Sequence, residues 1–173
     1  SLFIISTCVF PENAPLPLKE EYLHIGEPHC TNFGYAYAKR MLDVGSRSLN
    51  QQYRLSSLCL IPCNLYGEND NYNLNVGHVI PSLIHKCYLA KINHTTFEIW
   101  GDGKAERQFM YVGDFAKIIE QVFNLDLSGN FIVSPDQIYT IQEIVETIVK
   151  IFNFKGKVVF DSTKPQGILR KNC

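Results

Sequence analysis

Leu2-Phe3-Ile4-Ile5-Ser6-Thr7-Cys8 is the stretch on which the reading of the fold turns. Four consecutive apolar residues that stop at small polar side chains suit a strand buried on both faces, its carboxyl end opening into a crevice. In open α/β sheets that end is where ligands bind, so the polar residues closing the run stand at a candidate site. The chain opens on Ser1 rather than Met and the run has no lead-in, which reads as the interior of a longer protein.

Outward from this strand, Pro11, Pro15, Pro17 and Pro28 hold off any long helix until about residue 31. A helix is predicted over residues 32–53 with Tyr35, Ala38, Met41, Leu42 and Leu49 among its apolar positions. A strand over residues 55–61 closes at Pro62, and a loop rich in Asn and Tyr leads to a helix over 76–90. Phe97-Glu98-Ile99-Trp100 reads as a strand ended by Gly101-Asp102-Gly103, a hairpin or turn signal. Phe115, Ile118, Ile119, Val122 and Phe123 recur at helical spacing, with Asp114 able to cap the start. Ile141, Ile144, Val145, Ile148, Val149 and Phe152 repeat the pattern behind Thr140 and Glu143 at capping-box spacing. Strands near 131–134 and 158–160 flank that last helix, so the alternation implies an α/β fold with parallel pairing.

Composition removes several classes of function. In 173 residues, 46% are apolar, 19% charged and 12% aromatic, too much buryable surface for a disordered or fibrous chain. A net charge of −1 with no concentrated Lys or Arg argues against nucleic acid as a partner. The longest apolar runs are four residues, against about 20 for a membrane helix. Cys8, Cys30, Cys59, Cys63, Cys87 and Cys173 form no CxxC pair, and no metal site is expected; free thiols in a reducing, cytoplasmic compartment fit the spacing. Asn93-His94-Thr95 then reads as a chance glycosylation sequon.

The sharpest local feature is Tyr35-Ala36-Tyr37-Ala38-Lys39. Side chains four apart share a helix face, roughly 5–6 Å apart at Cβ. An ammonium there stabilises a phenolate, which makes Tyr35 an acid/base usable near neutrality. The spacing alone is weak, being common on solvated helices. It stands, however, with Ser6-Thr7-Cys8-Val9-Phe10-Pro11 and Asn32-Phe33-Gly34 upstream. Downstream lie Pro62-Cys63-Asn64-Leu65-Tyr66-Gly67, Asp70-Asn71-Tyr72-Asn73, Gly77-His78-Val79-Ile80-Pro81 and Trp100-Gly101-Asp102-Gly103 with Arg107. Together these resemble the extended short-chain dehydrogenase/reductases of the NAD-dependent epimerase/dehydratase family. Within it they are most similar to the epimerase-reductases that convert GDP-4-keto-6-deoxy-D-mannose to GDP-L-fucose. Dehydratases of the family carry Asp-Glu after the strand-end Thr, where this chain has Cys8-Val9.

The resemblance implies a set of roles. Ser6 orients the sugar carbonyl, Tyr35 protonates the 4-keto oxygen, and Lys39 tunes Tyr35 and binds the ribose of NADP(H). Pro62, Cys63, Asn64 and Leu65 match the cofactor loop, and His78 lies beside cofactor and substrate. Cys8 and His78 match the acid/base pair for epimerisation at sugar carbons 3 and 5. A proton beside a ketone is acidic because the enolate spreads its charge onto oxygen, and inversion needs a base on one face and an acid on the other. Read singly, Cys8 would be a small buried hydrophobe and His78 a helix-start histidine bonded to backbone. Lys86, Trp100 and Arg107 match contacts to the GDP-sugar, Arg107 with a guanidinium suited to a diphosphate. Gln166 stands where the family usually has an acidic residue.

The expected fold is thus the C-terminal part of a Rossmann-like fold over residues 1–75, with a small substrate-binding α/β region over 76–173. None of the eleven glycines falls in the GxxGxxG turn that seats a dinucleotide pyrophosphate in this superfamily. The N-terminal cofactor half is therefore expected to be absent and the chain inactive alone, with a homodimer implied for the full-length family. The competing reading is a non-catalytic nucleotide-sugar-binding or assembly module.

Overall fold

Leu58-Cys59-Leu60-Ile61-Pro62 is buried along its whole length and organises the first half of the chain. The computed structural model describes residues 1–164 and 169–173. In chain order its elements are β1 (Leu2–Ile4), α1 (Phe33–Tyr53), β2 (Leu58–Pro62), β3 (Asn64–Tyr66), α2 (Val79–Ile92), β4 (Phe97–Trp100) and β5 (Glu106–Arg107). There follow β6 (Phe109–Tyr111), α3 (Val112–Phe123), β7 (Gly129–Val133), β8 (Tyr139–Thr140), α4 (Ile141–Phe152), β9 (Val158–Asp161) and β10 (Arg170–Lys171). They form two compact units, residues 1–65 with 108–136 and 172–173, and residues 66–107 with 137–171. The single division expected at 75/76 is therefore not where the chain divides: β7 pairs with β2 and returns residues 108–136 to the first unit.

In the first unit β2 lies between β1 and β7, both parallel to it, with Phe3 opposite Cys59 and Leu60 opposite Phe131. Ile5, Val9, Phe10, Leu18, Leu23, Cys59 and Ile61 form one core cluster, and Leu58, Leu60 and Phe115 another beneath α3. β1 is half-buried and Ile4 exposed, so this run is not covered on both faces as its composition suggests.

Helix α1 departs further from expectation. Of the apolar positions noted along it, Leu42 alone packs against the core, while Met41 at 62% and Tyr35 at 51% exposure stay outside and Ala36, Arg40, Asp43 and Ser46 turn inward. Buried polar groups persist where they are paired, and most of these atoms are, Arg40 Nη2 alone among those of the four residues having no hydrogen-bond partner among the described residues. Arg40 donates from Nε to Val9 O and from Nη1 to Gly26 O, both at 2.8 Å. Asp43 meets His24 Nε2 at 2.6 Å, Arg47 Nη2 at 2.9 Å and Asn130 Nδ2 at 2.8 Å. Burial lowers the pKa of the Arg40 guanidinium, with Tyr37 opposing.

The second unit is built on apolar packing. Leu83, Cys87 and Ala90 of α2, Phe97 and Ile99 of β4, and Val145 and Ile148 of α4 surround Phe154, whose ring meets Phe97 edge-on at 6.1 Å. β4 runs parallel to β9, so Gly101-Asp102-Gly103 forms a turn with both glycines at positive φ rather than a hairpin. β5 lies between β10 and β8. The capping box of α4 is as the sequence reads, with Thr140 Oγ1 accepting from Glu143 N and Glu143 Oε2 accepting from Thr140 N. The bonds that Glu143 Oε2 accepts from Thr140 N and from Thr140 Oγ1 lower the Glu143 pKa. The other expected cap is not formed: α3 starts at Val112 behind Tyr111, ahead of Asp114.

Removing the buried carboxylate strands its partners, so Asp43→Ala should cost about 3 kcal/mol. Truncating the exposed partner, Arg47→Ala, should cost under about 1 kcal/mol. Urea midpoints of the two variants check the contrast; equal shifts would show that Asp43 is not the centre of the network.

Candidate active site

The first cluster grows from the end of β1. Ser6 is extended, and its Oγ accepts from Cys8 N at 3.2 Å, capping a single 3-10 turn over Thr7–Val9. A hydroxyl oxygen that accepts still has its own O–H to donate. Arg40 fixes the far end of that turn through Val9 O. From α1, Lys39 Nζ donates to Ile4 O at 3.1 Å and lies 5.9 Å from the centre of the Tyr35 ring. The i,i+4 spacing thus places Tyr35 and Lys39 on one helix face, and the ammonium is pinned two residues from Ser6. Cys8 is half-buried, in contrast to the fully buried Cys59, Cys63 and Cys87.

The four residues read as a cofactor loop are held by the protein's own backbone. Pro62 ends β2, and Cys63 N donates to Val133 O at 3.0 Å. Asn64 Nδ2 donates to Gln108 O at 2.9 Å, and Leu65 packs with Leu58, Leu60 and Phe115. Gln108 is itself buried, linking Pro135 O and Cys173 N. Burial pushes the Cys63 thiol pKa up, with the Ser134 hydrogen bond easing it. For NADP(H), the exposed Tyr35 and the cation of Lys39 fit the nicotinamide-ribose end. No GxxGxxG turn is present in the sequence to take the pyrophosphate.

In the second unit His78 occupies the N-cap position of α2 without spending its side chain on the helix backbone. Helix α2 therefore starts at Val79, three residues later than expected. His78 Nδ1 lies 3.5 Å from Asp70 Oδ1. Lys86 and Trp100, both read as nucleotide-sugar contacts, are brought together: Nζ sits 4.6 Å from the indole centre, a cation–π arrangement. Burial lowers the Lys86 pKa and Glu98 opposes it. Arg107 Nη1 donates to Glu106 O at 2.7 Å and reaches Leu169 O at 3.5 Å. Gln166 lies outside the described residues.

Among the described residues no group of three or more His, Cys, Asp and Glu could hold a metal ion, and no helix is long and apolar enough to cross a membrane. Two residues beside the site were not singled out from sequence. Arg40 follows Lys39 directly and looks like an ordinary surface cation; only its carbonyl partners show its position. Asp70 sits in a recognisable Asp-Asn-Tyr-Asn segment, but its pairing with His78 needs the folded loop.

A parallel α/β sheet with a Ser-bearing turn beyond one strand, and a Tyr-x-x-x-Lys helix pinned to that strand, has the construction of a short-chain dehydrogenase/reductase. The chain belongs to the NAD dependent epimerase/dehydratase family, whose profile matches residues 1–131. It is 43% identical over 173 residues to a GDP-L-fucose synthase of Dictyostelium discoideum, covering 98% of this chain and 54% of the relative. It is 38% identical over 174 residues to a GDP-L-colitose synthase of Yersinia pseudotuberculosis, covering 96% and 55%. The crystal structure of a GDP-L-fucose synthetase from Naegleria fowleri bound to NADP superposes with a TM-score of 0.95 at 39% identity, covering 99% of this chain and 56% of that one. The chain spans about half the length of the relatives it matches.

The cysteines offer a direct check on the geometry. Burial, with Asp43 adding to it and Lys39 opposing, raises the Cys59 pKa to about 11, and burial also raises that of Cys87. In the folded protein, iodoacetamide at pH 8 should modify Cys30 and Cys8 and leave Cys59, Cys63 and Cys87 intact until denaturant is added. Peptide mass mapping checks this; early labelling of Cys59 would contradict the packing of β2. Since the unfolded chain ionises Cys59 nearer pH 9, stability should fall as pH rises from about 9 toward 11.

Proposed function

We propose that this chain carries the catalytic residues of an NADP-dependent epimerase-reductase that converts GDP-4-keto-6-deoxy-D-mannose to GDP-L-fucose. The observation that supports it most is the pinning of Lys39 between Ile4 O and the Tyr35 ring, beside the Ser6–Cys8 turn. Ser6 and Tyr35 supply O–H donors for the 4-keto oxygen. When a proton leaves carbon 3 or 5, charge moves to that oxygen, and the same donors stabilise it. Cys8 and His78 remove and return the carbon-bound protons. NADPH, when bound, supplies the hydride to carbon 4. Tyr35 gives its proton to the carbonyl oxygen as that carbon is reduced, and Lys39 stabilises the phenolate left behind. Lys86, Trp100 and Arg107 contact the GDP-sugar, and Pro62, Cys63, Asn64 and Leu65 line the cofactor.

The reading extends to a homodimer in the cytoplasm. Phe33, Tyr37, Met41 and Val44 recur at helical spacing along α1 and are exposed, a stripe suited to a second copy. The six cysteines are all free, as a reducing compartment favours.

Two measurements test the reading. With the 173 residues placed in an enzyme of the relatives' full length, Tyr35→Phe should slow hydride transfer by on the order of 10²-fold or more. Cys8→Ser and His78→Asn should abolish solvent deuterium exchange at carbons 3 and 5 while sparing some 4-keto reduction. Exchange at the parental rate in Cys8→Ser would return that thiol to a packing role. By calorimetry, the 173-residue chain alone should bind NADPH weakly or not at all, because its sequence lacks the pyrophosphate-binding turn; micromolar binding would overturn that account of the cofactor site.

A further inference from the structure

We propose that Asp70 is a positioning residue for His78, holding the imidazole through Nδ1 so that Nε2 is the nitrogen that takes and returns protons. The proposal rests on the reading of His78 as an acid/base given above. A carboxylate near neutral pH only accepts hydrogen bonds, so an imidazole nitrogen facing it must carry the proton, and the other nitrogen then keeps the lone pair. His78 Nδ1 lies 3.5 Å from Asp70 Oδ1, longer than a formed hydrogen bond, and catalytic hydrogen bonds are often this long before substrate is bound. The two side chains differ in freedom: that of Asp70 is 18% exposed and that of His78 80%. The carboxylate is the fixed member and the imidazole the reaching one.

The intervening loop is built to hold Asp70 in place. Asp70 Oδ1 accepts from Asn71 N at 2.7 Å, Asn71 Oδ1 from Asn73 N at 3.0 Å, and Asn73 Oδ1 from Asn75 N at 2.8 Å. Each Asn or Asp side chain fastens the backbone just ahead of it, a run of local side-chain turns. Gly77 N then donates to Asn73 O at 2.8 Å, and His85 Nδ1 of α2 meets Tyr72 O at 2.7 Å, tying the loop back to the helix that His78 opens. A Cβ at position 77 would stand 2.4 Å from Asn71 O and 2.5 Å from Asn73 O, so only glycine lets the loop close this tightly beside His78. His78 is extended and makes no side-chain cap bond, so its ring is spent on nothing but Asp70 among the contacts the structure shows. A histidine that merely started a helix would need neither a carboxylate nor a folded-back loop.

The experiment uses this chain placed in an enzyme of the relatives' full length, labelled with 15N at histidine, with His78 assigned by its loss in His78→Asn. Long-range 15N–1H correlation spectra distinguish the two neutral tautomers. Neutral His78 should carry its proton on Nδ1. In Asp70→Ala it should shift toward Nε2–H, the form favoured by a free imidazole in water, and Asp70→Glu should restore the Nδ1–H form at least in part. In the same proteins, Asp70→Ala should lower kcat for deuterium exchange at carbons 3 and 5 by on the order of 10²-fold, the cost of misplacing a reacting group, with KM little changed. A parental His78 already protonated on Nε2, or a tautomer unmoved in Asp70→Ala, overturns the proposal. If the tautomer moves as expected but His78→Asn exchanges deuterium at the parental rate, the acid/base reading of His78 fails instead, and with it the catalytic meaning of the pair. Asp70→Asn, which keeps an oxygen for Asn71 N, serves where Asp70→Ala does not fold; it should weaken the Nδ1–H preference without abolishing it.

Discussion

The first unit hangs on a charged seam where most α/β proteins place an apolar one. Arg40 and Asp43 of α1 are buried against the sheet side of the helix, and each is paired with groups that only the folded chain brings near. Apolar packing tolerates sliding and modest rotation, because dispersion and desolvation depend little on direction. Hydrogen bonds from a planar guanidinium to two separate carbonyls do not. The seam therefore sets the rotational phase of α1, and that phase determines which residues of the helix meet the strand end. Tyr35 and Lys39 follow from it, with Lys39 close enough to β1 to bond Ile4 O.

The two units solve the same problem with different forces. The second unit fills its interior with Leu, Ile, Val and Phe from α2, α4, β4 and β9 and leaves its polar chemistry on a loop and on exposed faces. In the first unit, polar pairing and chemistry share one helix. Substitutions in the second unit's core should thus act through volume, while those along α1 act through direction.

Local signals in the sequence were legible where a single element carried them. The Thr140–Glu143 capping box, the apolar stripe of α4, the strand expected over 55–61 and formed over Leu58–Pro62, and the shared face of Tyr35 and Lys39 all follow from spacing within one element. The inward face of α1 was not legible, since the groups that make Arg40 and Asp43 acceptable inside lie on Val9, Gly26, His24 and Asn130, up to 87 residues away. The exposure of Ile4 depends in the same way on what covers β1, not on its composition. At the site, a family resemblance singled out Lys86 and Trp100 separately but not their meeting, and the approach of Asp70 to His78 depends on four consecutive loop bonds that no periodicity announces.

Trp100 is the chain's sole tryptophan, and it stands half-exposed on β4 with the Lys86 ammonium over its face. Intrinsic tryptophan emission is therefore a local instrument in this protein. It reports the surroundings of β4 and the occupancy of one indole face. A melting curve followed at that wavelength describes the β4 region alone, and agreement with circular dichroism would be a finding about cooperativity between the units, not an assumption to begin from.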